Sequence, residues 1–187
     1  MKHLIIYSHL NPDSFTKAIV NKVEKVALEK GDEVKIIDLY GDQFDPILAF
    51  PDIEHMFMGK DAPSDVANYQ ELVSWADHMT FVYPLWWAQM PAMLKGFIDR
   101  VFTNGYAFAY GEDGIPVGLL NGKTAQLYIS TGNSDEYYDA TGMLTAQRRV
   151  NDDGIFAFCA IDANSTFFGN VAMGTNELRQ GYLDSIV

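Results

Sequence analysis

The sequence has little cysteine, little positive charge and no long apolar run. A single thiol, Cys159, among 187 residues leaves no partner for a disulfide within the chain and excludes a Cys-rich zinc cage. Only 13 Lys and Arg stand against 25 Asp and Glu, a formal net charge of −12. Proteins that grip nucleic acid neutralise phosphates with basic side chains, so that class of partner is excluded; an anionic lipid surface is disfavoured on the same ground. No stretch approaches the roughly 18–20 apolar residues that span a bilayer. Met1-Lys2-His3 opens into an apolar run too short for a secretion signal, so a cytoplasmic location is expected.

Several chemical signatures are missing as well. No G-x-G-x-x-G follows a strand-like run. Gly122-Lys123-Thr124 superficially resembles a phosphate loop, but Val117 stands where its first glycine belongs, and the lysine precedes a strand rather than a helix. There is no G-x-S-x-G hydrolase elbow. His3, His9, His55 and His78 show no ligand spacing, so no metal site is expected. Cys159 lies inside the apolar run 156–161 and reads as a buried structural thiol.

What remains is a regular alternation. Leu4-Ile5-Ile6-Tyr7 reads as a strand, a helical period follows from Ser14 to Gly31, and Val34-Lys35-Ile36-Ile37 is a second strand. Residues 42–77 carry eight carboxylates and one lysine, Lys60, and read as a solvated excursion ending in a helix over 64–75. A strand is expected at 79–83, a helix at 91–102, an irregular insertion or hairpin at 104–120, and a strand at 124–130. Beyond these, a helix over 141–150, β-like runs at 156–161 and 166–171, and a last helix over 177–186 complete the reading. No repeat or linker divides the chain, so one domain over 1–187 is expected. Strands alternating with helices imply a doubly wound parallel sheet, flavodoxin-like with order 2-1-3-4-5 and helices on both faces. In such sheets ligands bind beyond the carboxyl ends of the strands, at the switch point.

Three strand-end loops therefore carry the functional reading. The first, residues 8–16, opens into a helix whose free N–H groups can hold a phosphate without lysine or arginine, with Ser14 and Thr16 adding hydroxyls. Ordinary helix capping by Asp13 or Ser14 would explain the same residues. The second, Pro84-Leu85-Trp86-Trp87-Ala88-Gln89-Met90-Pro91, is a rigid apolar shelf against which a planar ligand could stack. Adjacent residues point in different directions, so at least one of Trp86 and Trp87 should line a cavity or an interface. The third, Ser130-Thr131-Gly132-Asn133, is rich in donors, and Gly132 admits a close ligand.

At the second loop the sequence resembles a known family. Pro84-Leu85-Trp86-Trp87, followed by Met90-Pro91-Ala92-Met93-Leu94-Lys95-Gly96-Phe97-Ile98-Asp99-Arg100-Val101-Phe102, is similar to the signature of the NAD(P)H:quinone oxidoreductases. Gly105-Tyr106-Ala107-Phe108-Ala109-Tyr110 and Ser130-Thr131-Gly132 resemble that family's aromatic segment and its Thr-Thr-Gly-Gly loop. The resemblance implies a dimeric flavoenzyme that takes hydride from NADH or NADPH and reduces quinones by two electrons in a ping-pong cycle. It implies that His9, Ser14, Phe15 and Thr16 hold the flavin phosphate and ribityl end. Pro84, Leu85, Trp86 and Trp87 would hold the isoalloxazine, and Ser130, Thr131, Gly132 and Asn133 its pyrimidine edge. Tyr138 matches a tyrosine near the flavin O2 and is the candidate catalytic residue. Trp87, Phe108 and Tyr110 would wall the substrate pocket, the last two in the partner subunit. Two positions depart from the family: Asn133 replaces the second glycine, and Leu144 falls where a histidine is usual. FMN is the expected cofactor because the long extension of the larger FAD-binding members is lacking; FAD remains the alternative, with the apolar stretch 49–58 as shelter for an adenine. A flavodoxin-type electron carrier and a regulatory subunit of a potassium-efflux system are the other two readings, the first suited by acidity that docks on basic partners.

Overall fold

The strands and helices alternate along the chain, and the computed structural model describes all of Met1–Val187. Strand β1 (Lys2–Tyr7) leads through helix α1 (Phe15–Glu29) to β2 (Glu33–Asp38). After α2 (Phe50–Met58) and α3 (Ser64–Trp75) come β3 (His78–Pro84) and α4 (Ala92–Val101). A hairpin of β4 (Phe108–Tyr110) and β5 (Pro116–Gly118) precedes β6 (Thr124–Ser130). Helices α5 (Asp135–Ala140) and α6 (Met143–Arg148), a π-helical segment (Arg149–Phe156) and a 3₁₀ turn (Ala157–Cys159) lead to β7 (Asp162–Phe168) and α7 (Asn176–Asp184).

Five strands form one parallel sheet in the order β2-β1-β3-β6-β7. The 2-1-3-4-5 order read from the sequence is the order observed. β1 and β3 are buried on both faces, which is why they read as unbroken apolar runs. On one face α1, through Ile19, Val20 and Val23, and the C-terminal segment, through Ile186, pack against Ile5, Tyr7, Val82 and Phe168 of the sheet. On the other, α3, α4 and the π segment close over a larger cluster of 26 buried residues that includes Phe81, Phe97 and Phe156. That asymmetry places most apolar burial, and so most of the hydrophobic stabilisation, on the α3–α4 face. No helix is long and apolar enough to cross a membrane.

The acidic excursion departs from its expected solvated form. Asp52 is only 1% exposed and accepts from the Arg100 Nε at 3.1 Å, while the same guanidinium donates to Asp65 and to the Asp45 carbonyl, each at 2.8 Å. These bonds fasten residues 45–65 onto α4. A Cβ at Gly96 would stand 2.2 Å from the Pro46 carbonyl oxygen, so this position on α4 must be bare for the strap to lie down.

The last third of the chain differs in detail. Residues 156–161, expected as a strand, turn as helix, because Phe156, Cys159 and Ile161 are buried while Ala157 and Phe158 face out. The final strand lies at Asp162–Phe168 instead of 166–171. It is an edge strand with polar residues at Asp162, Asn164 and Thr166, so pairing with β6 decides its position more than its composition does. The helical stretch expected over 141–150 is in fact α6 running into the π segment, and α5 precedes it.

Candidate functional site

The sheet register brings the strand-end loops level. The Ser8 N–H donates to the Val82 carbonyl at 3.1 Å, Leu85 to Ser130 at 2.8 Å, Thr131 to Phe168 at 2.9 Å and Val171 to Thr131 at 3.0 Å. Four adjacent strands are thereby stitched together just where their loops depart. Between the loops lies a cleft of about 240 Å³ lined by His9, Phe15, Thr16, Pro84, Leu85, Trp86, Ser130, Thr131, Gly132, Val171 and Ala172. It sits at the switch point, where β2 lies to one side of β1 and β3 to the other.

One end of the cleft is the N-terminus of α1. Ser14 caps the helix, its Oγ accepting from the Lys17 N–H at 3.2 Å, and the N–H groups of Phe15 and Thr16 have no protein partner. Unpaired amides at the positive end of a helix form an anion seat. No lysine or arginine lines the cleft, so that seat depends on backbone donors and on the Thr16 hydroxyl. The His9 Nδ1 accepts from the Asn11 N–H at 3.0 Å, which puts the proton of the neutral ring on Nε2 and makes that atom a donor.

The wall is aromatic. Trp86 is 38% exposed and its ring lies 6.0 Å from that of His9, tilted by 56°. Opposite, the N–H groups of Gly132 and Asn133 are unpaired, and a Cβ built on Gly132 meets nothing within 4 Å. The loop thus offers two donors beside open space, the form needed for the polar edge of a planar ring. Thr131 holds it in shape, its hydroxyl donating to the Asn133 carbonyl at 2.9 Å.

Some expected site residues stand elsewhere. Ser14 supports the helix end without lining the cleft, and Asn133 is exposed beside it. Trp87 is fully exposed, on a turn outside the cleft. Tyr138 is half-buried on α5, packed against the larger core, and is not a lining residue. Phe108 lines a separate hollow with Phe102, Phe158 and Cys159, and Tyr110 is exposed at the end of the same strand. Burial raises the Cys159 thiol to about 11, as suits an inert core residue. Val171 and Ala172 were not anticipated. They follow β7, and the strand-end rule would have found them had that strand been placed at 162–168.

A second cavity of about 260 Å³, at the opposite end of the sheet, is lined by His3, His78, Thr80 and Thr124 among others. It lies at the amino ends of the strands and gathers none of the strand-end loops.

A doubly wound sheet with an anion seat and an aromatic wall at its switch point defines a flavodoxin-like ligand-binding protein. The chain belongs to the family described as flavodoxin-like fold, which it matches over residues 1–184. It is 34% identical over 186 residues to a Haemophilus influenzae protein named as an uncharacterized NAD(P)H oxidoreductase, covering 98% of this chain and 91% of that one. It is 33% identical to the human ribosyldihydronicotinamide dehydrogenase [quinone], over 76% of this chain and 68% of the human one. Among solved structures, the NAD(P)H:quinone oxidoreductase of Methanothermobacter marburgensis superposes with a TM-score of 0.90 at 27% identity, covering 100% of this chain and 93% of that one.

Proposed function

We propose that the protein is a flavin-dependent NAD(P)H:quinone oxidoreductase, one flavin-binding unit over 1–187, that holds FMN in the cleft between β1, β3, β6 and β7. The observation that carries this reading is the meeting of Thr16, Trp86 and Thr131 in one cleft, from three loops far apart in sequence. The names of its relatives in Haemophilus, human and Methanothermobacter agree with it. FMN, when bound, supplies hydride acceptance from NAD(P)H and two-electron delivery to the quinone.

The chain's own groups supply the rest. Amides of Phe15 and Thr16, with His9 Nε2–H, hold the phosphate; Pro84, Leu85 and Trp86 wall the ring; amides of Gly132 and Asn133 donate to its electron-rich edge. FMN is favoured over FAD because no residue of 49–58 lines the cleft, α2 being fastened to α4 by Arg100. Tyr138, on α5 outside the cleft lining, is the proton donor that the family resemblance implies. Two copies associate, covering exposed apolar side chains such as Phe57, Trp87 and Phe158 and bringing Phe108 and Tyr110 to the partner's cleft.

The test is steady-state NAD(P)H oxidation by FMN-loaded protein with menadione as acceptor. Turnover supports the enzyme; flavin reduced by dithionite but never by NAD(P)H selects the electron carrier, which the net charge of −12 would suit. Tyr138→Phe should lower kcat with FMN affinity unchanged, and an unaltered kcat removes Tyr138 from the reaction. Light scattering at micromolar concentration reads the dimer.

A further inference from the structure

The turn after Trp86 is held in a backbone shape that its own residues disfavour. Trp86 and Gln89 exchange two backbone hydrogen bonds, at 2.9 and 3.0 Å, closing a two-residue turn over Trp87 and Ala88. Both central residues are left-handed, with φ of 52° and 57°. Turns of this kind select Asn-Gly or Gly-Gly, because a Cβ at positive φ crowds the adjoining carbonyl. Here a tryptophan and an alanine occupy the two positions, so something outside the turn must maintain it.

That support comes from α6. The Gln147 Nε2 donates to the Ala88 carbonyl at 2.8 Å, and the side chain is 3% exposed. One helical turn on, Asn151 Nδ2 donates to Gln147 Oε1 at 3.3 Å, itself on a residue 2% exposed. Two buried amides in series fix which end of Gln147 faces the turn. Asn151 lies in the π-helical segment, a local distortion of a kind that recurs at functional sites. Burying two amides costs free energy that apolar side chains would avoid, so their presence calls for a specific polar duty.

We infer that Gln147, oriented by Asn151, is a positioning residue that clamps the Trp87-Ala88 turn and so sets the lie of Trp86 against the flavin. The consequence for flavin rests on the proposed function; the clamp itself does not. Two variants test it, Gln147→Leu and the double variant Gln147→Leu/Ala88→Gly, each against the unaltered chain. Without flavin, amide hydrogen exchange by NMR at Trp86 and Gln89 should quicken roughly five- to tenfold in Gln147→Leu, with β3 amides unmoved. Ala88→Gly should return it most of the way, since glycine takes positive φ freely. FMN affinity, read from quenching of tryptophan fluorescence, should fall and recover in parallel. Unchanged exchange in Gln147→Leu overturns the clamp. So does a lesion that Ala88→Gly does not repair, which would make Gln147 a packing residue. Faster exchange with undiminished FMN affinity overturns the positioning role. Failure of the unaltered chain to take up FMN would sink the functional reading, while the exchange measurement still decides the clamp.

Discussion

At position 132 the chain leaves room that no protein atom fills. The neighbouring amides point to no partner, so a side chain there would meet whatever the cleft binds before it met the fold. Gly132→Val should therefore leave urea stability within about 0.5 kcal/mol while lowering FMN affinity at least tenfold, on the order expected for a direct clash. Retained affinity in the fluorescence titration would move the ring away from this loop. Trp86 and Trp87 divide in the same way. Only Trp86 lines the cleft, so Trp86→Phe should remove more of the flavin-induced quench than Trp87→Phe. The sequence marked both indoles as candidates, since a dipeptide carries no sign of which residue faces in. That distinction comes from the left-handed turn, and its cause lies at Gln147, far along the chain.

At the scale of elements, α4 shows why one block of sequence was so recognisable. Gly96 and Arg100 are one helical turn apart on one face, the glycine admitting Pro46 and the arginine gripping Asp52 and Asp65; Lys95 and Asp99 pair on the exposed side. The block records a strap as much as a cofactor. Asp52→Ala leaves Arg100 buried with one fewer counter-charge and should cost about 2–4 kcal/mol in urea unfolding, with faster proteolysis within 50–58. A loss below about 0.5 kcal/mol would show the strap to be loosely held. Helix α2 escaped the sequence reading because its polarity is inverted. Asp52 faces inward and accepts from the Ala49 N–H at 2.8 Å, whereas Phe50, Phe57 and Met58 face solvent. Periodicity finds helices that bury apolar stripes, and this one buries an acid. The 2-1-3-4-5 sheet, α1, α3 and α4 were legible because each buries its apolar side in the ordinary sense.

At the scale of the whole molecule, the two ends of the sheet respond to different solution variables. At the amino end, burial and then the His78 ring lower the His3 imidazole from the ordinary 6.5 to about 4, with Lys30 acting in the same direction and Asp32 opposing. His78 is lowered too, chiefly by burial. The unfolded chain binds these protons at higher pH than the folded one, so the contribution is whole above about 6.5 and is lost as pH falls toward 4. Urea midpoints should decline across that window, by on the order of 2–3 kcal/mol for His3, and His3→Asn should flatten the decline. For the cleft at the carboxyl end, the chain's overall net charge of −12 opposes an anionic dinucleotide, so added salt should lower the KM for NAD(P)H; a KM that rises with salt would mean a local cationic guide near the cleft.

The loop after β7 also bears on how the protein is made. β1, β3 and β6 can pair once the chain has been synthesised to Ser130, yet Val171 and Ala172 complete the cleft wall only after β7 has docked on β6. A ribosome-bound chain halted before residue 162 would carry β6 as a bare parallel edge, the kind of surface that invites other strands. FMN binding should therefore begin only with nascent chains long enough to place residue 172 outside the ribosomal tunnel. Cofactor capture would then report that the last strand has arrived, and flavin supplied during synthesis would hold β7 in place once it has docked.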